Sequence, residues 1–317
     1  MRALITGIGG FAGQHLAARL LARGHEVSGT VRPGGSRPTD PQIKIIAADI
    51  EDAESVANAV TAAQPTALFH LAGLTFVPQS LRDPTAAMRA NVLGAIYVLA
   101  AVRDAAPSCR VLVVGSGDAY GRVEPSDLPI TETCPWRPLS PYGVSKAAAD
   151  LVAYQWSQPP GLDIVRVRPF NHTGPGQRSA FVCADFARQL VAIERGLQPP
   201  RLSVGNLEAI RDFSDVRDIA DGYIAACEHG ERGEAYNLCS GVGRSIRSVL
   251  EDLIAMSGVS VEMVVDAAKL RPIDVPQLVG CGAKVQVATG WCVTIPWRQT
   301  LANVLTDWRA RPDAQLS

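Results

Sequence analysis

The first half of the chain alternates short, mostly apolar runs with longer stretches whose apolar positions recur every three to four residues. The runs at residues 3–6, 27–31, 43–47, 67–71, 111–114 and 164–167 have the length and the Val, Ile and Leu content of strands. The stretches at 11–23, 51–63 and 86–106 have the spacing of helices with an apolar face. Strands that do not alternate with polar residues are buried on both faces. Regular strand–helix alternation therefore predicts an α/β fold, a doubly wound parallel sheet covered by helices on each side. The rhythm breaks after Arg168, where residues 171–177 are rich in Gly and Pro and shorter elements follow. That shift predicts a sheet domain over 1–168, to which 206–240 returns, and a smaller mixed α/β lobe from 169–205 and 241–317. The stretches at 92–106 and 142–158 carry apolar residues on more than one face. One face covers the sheet; the other is available to a second copy.

Composition narrows the classes. The 317 residues are 47% hydrophobic and 19% charged, enough apolar material for a large core. A net charge of -1 and the absence of a basic run exclude an electrostatic nucleic-acid surface. The seven cysteines are scattered without a Cys-x-x-Cys pair, which argues against a zinc site or a disulfide framework and for reduced thiols. The apolar run 95–102 falls short of the roughly 18 residues a membrane span needs. With a strand starting directly after Met1, no signal peptide is expected, and the reading is a cytoplasmic protein without metal, nucleic-acid or membrane partners.

Glycines 7, 10 and 13 lie between the first strand and the first helix, with Phe11 opening the helix. Gly7 allows a tight turn, Gly10 lets backbone approach a pyrophosphate, and Gly13 lets the helix sit close to the sheet. The helix N-terminus then faces the phosphates, as in a Rossmann dinucleotide site. NAD sites usually place an acid after the second strand for the ribose 2′-hydroxyl. Here Thr30 and Arg32 stand there without a carboxylate, which favours NADP(H) and leaves NAD(H) open. Asp49 and Ile50 after the third strand are placed to flank adenine, and Leu71, Ala72 and Gly73 to face the cofactor backbone.

Tyr142 and Lys146 are four residues apart on one predicted helix face. A nearby ammonium favours phenolate, so the expectation is a phenol drawn towards neutrality and usable as acid or base on a carbonyl or carbinol. Lys146 is also placed to hold the nicotinamide ribose. Ser116, just past a central strand, is placed to hydrogen-bond the reacting oxygen.

Together with Asn91 in Asn-Val-Leu-Gly, these residues resemble the extended short-chain dehydrogenase/reductase family over essentially the whole chain. The resemblance implies an oxidoreductase or epimerase/dehydratase acting on a nucleotide-linked sugar held between the Rossmann domain and the C-terminal lobe. It also implies a homodimer through the two helices with apolar outer faces. Residues 168–177, 204–213 and 270–275 resemble the guanosine-diphosphate-sugar branch. There Asn171, Arg211 and Arg271 correspond to ligands of the diphosphate, and Asp274 to an acceptor for the nucleotide ribose. Dehydratases of the family carry carboxylates after the serine or threonine. Here that place reads Gly117-Asp118, so the expected activity is NADPH-dependent reduction of a GDP-linked 4-keto-6-deoxyhexose at C4. Asp118 stands either as a shortened dehydratase acid or as a partner of a sugar hydroxyl. His172 and His70 read as structural. The rival readings are a dehydratase, a 4-epimerase or a ketoreductase on another nucleotide, and more remotely a non-catalytic dinucleotide-binding regulator.

Overall fold

The computed structural model describes residues 1–270 and 275–316. A seven-stranded parallel sheet forms its centre, from β1 (Arg2–Thr6), β2 (Glu26–Val31), β3 (Lys44–Ala47), β4 (Ala67–His70), β5 (Arg110–Val114), β6 (Ile164–Pro169) and a strand from much later in the chain. Between β6 and that late strand come β7 (Asn171–Thr173), β8 (Arg201–Val204) and β9 (Ile210–Asp215), which lie outside the large sheet. The late strand is β10 (Ala235–Leu238), and the order across the sheet is β10-β6-β5-β4-β1-β2-β3. The order reverses between β1 and β4. In doubly wound sheets such a reversal opens a crevice at the carboxyl ends of the strands. The ends that meet there are Thr6, Val31, His70 and Val114.

Helices α1 (Phe11–Ala22), α2 (Ala53–Ala63), α3 (Val77–Arg82), α4 (Pro84–Met88), α5 (Gly94–Ala105) and α6 (Pro141–Ser157) follow in chain order. After α7 (Val182–Glu194), α8 (Val216–His229) packs beside α1 on one face of the sheet, burying Leu16, Leu20, Phe69, Val165 and Ile224 in one core. On the other face α2, α5 and α6 bury Val60, Leu68, Val98, Leu99, Val111 and Ala153. The helix expected over 86–106 is interrupted: α4 and α5 flank a π-helical turn at Arg89–Leu93. The whole run Pro84–Ala105 is 22 residues long, longer than the apolar run 95–102 suggests, and its most apolar stretch of 18 residues has a mean hydropathy of 1.5. It is long and apolar enough to cross a bilayer by composition, yet half of it is buried against the rest of the protein, as in a sheet-covering helix.

The remaining chain supplies α9 (Ile246–Ser257), α10 (Ala283–Thr289), α11 (Trp297–Arg309) and three short strands, β11 (Gly243–Ser245), β12 (Glu262–Val265) and β13 (Gln277–Leu278). β9 is the centre of a small sheet, paired with β11, β13 and β7, while β12 pairs β8. Helices α7, α9 and α11 cover this region around Phe186, Leu202, Phe213, Leu250 and Leu301. The buried Asp212 carboxylate on β9 accepts from Ser240 N–H at 2.8 Å, Ser240 Oγ–H at 2.6 Å, Gly241 N–H at 2.9 Å and Gly280 N–H at 3.2 Å. These donors fix β9 to the end of β10, so the small sheet stands over the carboxyl edge of the large one.

Candidate active site

The chain leaves β1 at Thr6 and turns into α1 through Gly7, whose φ of +73° lies in the left-handed region glycine adopts without strain. A Cβ on Gly7 would also lie 2.9 Å from Ala72 Cα, so the loops after β1 and β4 touch. On Gly13 a Cβ would lie 2.6 Å from the Gly7 carbonyl oxygen, which explains the close seat of α1. Gly10 is the N-cap of α1, no side chain caps it, and its first turn has no acid. The helix therefore presents open N–H groups and a positive dipole end to an anion. This cradle fits a dinucleotide pyrophosphate.

Thr30 is buried, and its hydroxyl accepts from Gly7 N–H at 3.2 Å. That bond holds the turn. Arg32 is exposed at the end of β2, and the loop after it folds back so that a Cβ on Gly9 would collide with the Ser36 carbonyl oxygen. Ser36 thus lies against the glycine turn, with exposed Arg32 and Arg37 in the same loop. Asp49 is exposed, and its Oδ1 accepts from Glu51 N–H at 3.0 Å. Ile50 is half-buried against α5, where a Cβ on Gly94 would approach its Cγ1 to 2.8 Å. Beyond β4, half-buried Leu71 leads to Ala72, whose N–H donates to Thr6 Oγ1 at 3.1 Å. Gly73 is glycine because a Cβ would collide with Asn91 Oδ1.

Asn91 sits at the centre of the π-helical turn and is buried. Its Oδ1 accepts from Leu74 N–H at 2.8 Å, and its Nδ2 donates to Leu74 O at 3.0 Å and Ser145 Oγ at 2.8 Å. All its amide hydrogen-bonding directions but one acceptor lone pair are thereby used within the protein. These bonds make Asn91 a positioning residue, and one acceptor lone pair remains for the cofactor contact expected of it. It ties the loop after β4 to α6, one turn from the tyrosine.

Helix α6 starts at Ser140, whose Oγ accepts from Gly143 N–H at 3.0 Å, with Pro141 at its first position. This places Tyr142 and Lys146 on its first turns, both buried. Ser80 on α3 accepts from Tyr142 N–H at 3.2 Å, and Ser145 Oγ–H donates to Tyr142 O at 2.8 Å. Ser116, two residues past β5, accepts from Asp118 N–H at 3.1 Å and is hydrogen-bonded to the Tyr142 phenol. A Cβ on Gly143 would lie 2.7 Å from Asp118 O, so glycine lets α6 approach the serine loop.

Burial, then the nearby Asp118 charge, push the Tyr142 phenol above its ordinary value, and the Ser116 hydrogen bond only partly opposes them. This corrects the expected shift towards neutrality. Lys146 donates instead to Val114 O at 2.8 Å, and burial lowers its ammonium to about 8 against the opposing effect of Asp150. Tyr142 is consequently a protonated phenol at neutral pH. Behind it, the Asp150 carboxylate accepts from Arg168 Nε at 2.9 Å, and Arg168 Nη1 donates to Tyr120 Oη at 2.9 Å. That buried network secures the far end of the serine loop.

Gly117 is buried, and a Cβ there would lie 3.2 Å from the Phe170 ring. His70 is buried and held neutral, its pKa lowered to about 3 by burial and then by Lys146; its Nδ1 is hydrogen-bonded to Thr6 Oγ1 at 2.8 Å. Phe11 turns to the lobe and stacks on His172, ring centroids 6.2 Å apart and planes within 6°. Ser80, Ser145 and Phe170 escaped the sequence reading because their roles are contacts between distant segments. Ser140 before Pro141 was visible as a helix-start signal.

On the substrate side, Asn171 lies on β7, with its Oδ1 buried and without a partner among the described residues. Arg211 lies on β9, buried, and donates to Ile210 O at 2.8 Å. Arg271 and Asp274 lie outside the described residues.

A model of the GDP-mannose 4,6 dehydratase family matches residues 4–304. The chain belongs to that family. It is 37% identical over 310 residues to GDP-6-deoxy-D-mannose reductase of Pseudomonas aeruginosa, covering 98% of each chain. Among solved structures, RMD from Pseudomonas aeruginosa complexed with NADPH aligns with a TM-score of 0.86 at 36% identity, over 98% of this chain and 100% of that one. The Thermus thermophilus UDP-glucose 4-epimerase complex with NAD aligns with a TM-score of 0.87 at 30% identity, over 98% and 99%. Within the GDP-mannose 4,6 dehydratase family, then, this chain is an enzyme of the short-chain dehydrogenase/reductase kind. Its cofactor is a nicotinamide dinucleotide, NADP(H) with NAD(H) possible.

Proposed function

We propose that the enzyme reduces the C4 ketone of GDP-4-keto-6-deoxy-D-mannose to GDP-6-deoxy-D-mannose, also called GDP-D-rhamnose, with NADPH. One observation carries the reading: a protonated Tyr142 hydrogen-bonded to Ser116, beside a glycine at 117 that supplies no carboxylate and where an added Cβ would lie 3.2 Å from the Phe170 ring. Dehydration would need acid–base groups beyond the tyrosine and serine, to remove a proton and expel a hydroxyl. Ketone reduction needs only one proton donor and a partner for the oxygen. The identity to GDP-6-deoxy-D-mannose reductase supports the same direction.

NADPH, when bound, supplies the hydride. Gly7, Gly10 and Gly13 hold its pyrophosphate against the α1 N-terminus, and Arg32 offers a guanidinium to the 2′-phosphate. Ser116 donates a hydrogen bond to the C4 oxygen. Tyr142 donates its proton to that oxygen as negative charge develops there, and its burial keeps the proton available at neutral pH. Lys146 holds the Val114 carbonyl at the root of the serine loop and places a positive charge at the site during proton transfer. Asn171 and Arg211 receive the diphosphate.

A 4,6-dehydratase is the second reading, favoured by Asp118, whose charge reaches Tyr142. Cofactor balance separates the two: reduction consumes one NADPH per sugar, and dehydration consumes none. We also propose a homodimer. Exposed Val144, Leu151 and Tyr154 on α6 adjoin exposed Met88 and Leu93 beside them, forming an apolar outer face of the helix layer.

A further inference from the structure

The small sheet brings a second guanidinium to Arg211. β11 runs antiparallel to β9 with Arg244 in register with Arg211. β7 runs parallel to β9 with Asn171 in register with Phe213. Residues two apart on a strand share a face, so Arg244, Arg211, Phe213 and Asn171 belong to one face of three adjacent strands. The register sets two guanidinium-bearing side chains next to each other on that face.

Arg244 is half-buried. Other half-buried arginines meet a carboxylate: Arg19 meets Asp221, Arg110 meets Asp163, and Arg247 meets Glu208. Among the described residues Arg244 has no carboxylate within ion-pair distance. It donates to Val242 O at 3.2 Å, while desolvation lowers its pKa below the usual arginine value. Its guanidinium carbon lies 5.0 Å from the Trp297 ring centroid, and Trp297 stacks on Phe213 at 5.4 Å. The stack holds a planar cation at the sheet edge. Nearby, Trp297 Nε1 and Asn171 Oδ1 are buried without partners among the described residues, as in a site completed by a polar ligand.

We propose that Arg244 is a further substrate-binding residue, gripping the diphosphate of the nucleotide sugar beside Arg211. This rests on the nucleotide-sugar reading above. A diphosphate would accept charge-assisted bonds from both guanidinium groups. The site takes the phosphates, so it serves any nucleoside diphosphate, whatever its base.

The test measures GDP and UDP binding by calorimetry to the full-length enzyme saturated with NADPH, as wild type, Arg244→Gln and Arg244→Lys. Arg244→Gln is expected to weaken the preferred diphosphate by roughly 10- to 100-fold, as for loss of a hydrogen bond to a charged group. Arg244→Lys should recover part of the loss, because it keeps charge without the fork. NADPH affinity and the melting temperature of the ligand-free protein should stay at wild-type values. If Arg244→Gln lowers that melting temperature, the lysine variant decides: weaker diphosphate binding at unchanged melting supports the site. Diphosphate affinity within about two-fold of wild type in a folded variant overturns it. So does a wild type that binds neither diphosphate. A wild type preferring UDP sinks the guanosine assignment alone, and the same fold-loss with UDP still supports Arg244.

Discussion

Lys146 donates to the carbonyl oxygen of Val114 at 2.8 Å, although a single helical turn separates it from Tyr142. The contact joins α6 to the end of β5, two residues before Ser116. One lysine therefore fixes the geometry between the proton donor and the serine. Its charge is sensitive to pH, because burial has brought the ammonium down to about 8.

Activity should fall on the alkaline side near that value. Above about pH 8 Lys146 loses its proton while the Tyr142 phenol keeps its own, so kcat/KM should decline with an apparent pKa close to 8. In Lys146→Arg the limb should move to higher pH. An unchanged limb in that variant would assign it to another group. For stability the sign is opposite. The folded chain releases this proton before the unfolded chain does, so the penalty of burying the ammonium is present at neutral pH. It fades as pH rises from about 8 towards the ordinary lysine value.

Tyr142→Phe removes the proton donor and leaves the helix packing intact. We expect kcat to drop by roughly 10²- to 10⁴-fold with NADPH affinity retained. Ser116→Ala, which removes one partner of the developing charge, should cost about 10²- to 10³-fold. Stopped-flow single-turnover rates of NADPH oxidation check both. A Tyr142→Phe enzyme with wild-type turnover would remove this pair from the chemistry.

Arg32 is the residue that should set the cofactor preference. Arg32→Ala should raise the KM for NADPH by roughly 10-fold or more, the cost of a charge-assisted contact, and leave NADH nearly unaffected. Equal losses for the two cofactors would place Arg32 elsewhere than at the 2′-phosphate.

The exposed apolar face of α6 predicts a dimer. Light scattering should give twice the chain mass for the wild type. Leu151→Glu, which puts a charge among Val144 and Tyr154, should shift it to monomer while the fold persists. A monomeric wild type would contradict the proposal.

The central sheet could be read from sequence because its strands are buried on both faces, leaving continuous apolar runs. β10 could not: Ala235–Leu238 includes Asn237, a polar residue satisfied by Tyr120 and Ile130 from far upstream. The glycine turn was legible because each glycine answers a local steric demand. The π-helical turn at Arg89–Leu93 was not, since its apolar spacing is that of an ordinary helix. Tyr142 and Lys146 stood out by their separation of one turn, but the direction of the phenol's shift depends on burial and on Asp118, which come from other segments. Thr30 and Asn91 sat at the expected places with their polar groups turned inward, a distinction only packing reveals. Arg244 meets Arg211 through strand register, which the sequence does not display.

The most direct test supplies GDP-4-keto-6-deoxy-D-mannose, generated in place from GDP-mannose by a separate dehydratase, and follows NADPH absorbance alongside product. One NADPH should be oxidised per ketone reduced, with GDP-6-deoxy-D-mannose as product and no turnover of GDP-mannose by this enzyme alone. Dehydration of GDP-mannose without net NADPH loss, or reduction confined to thymidine- or uridine-linked ketosugars, would contradict the proposed reaction.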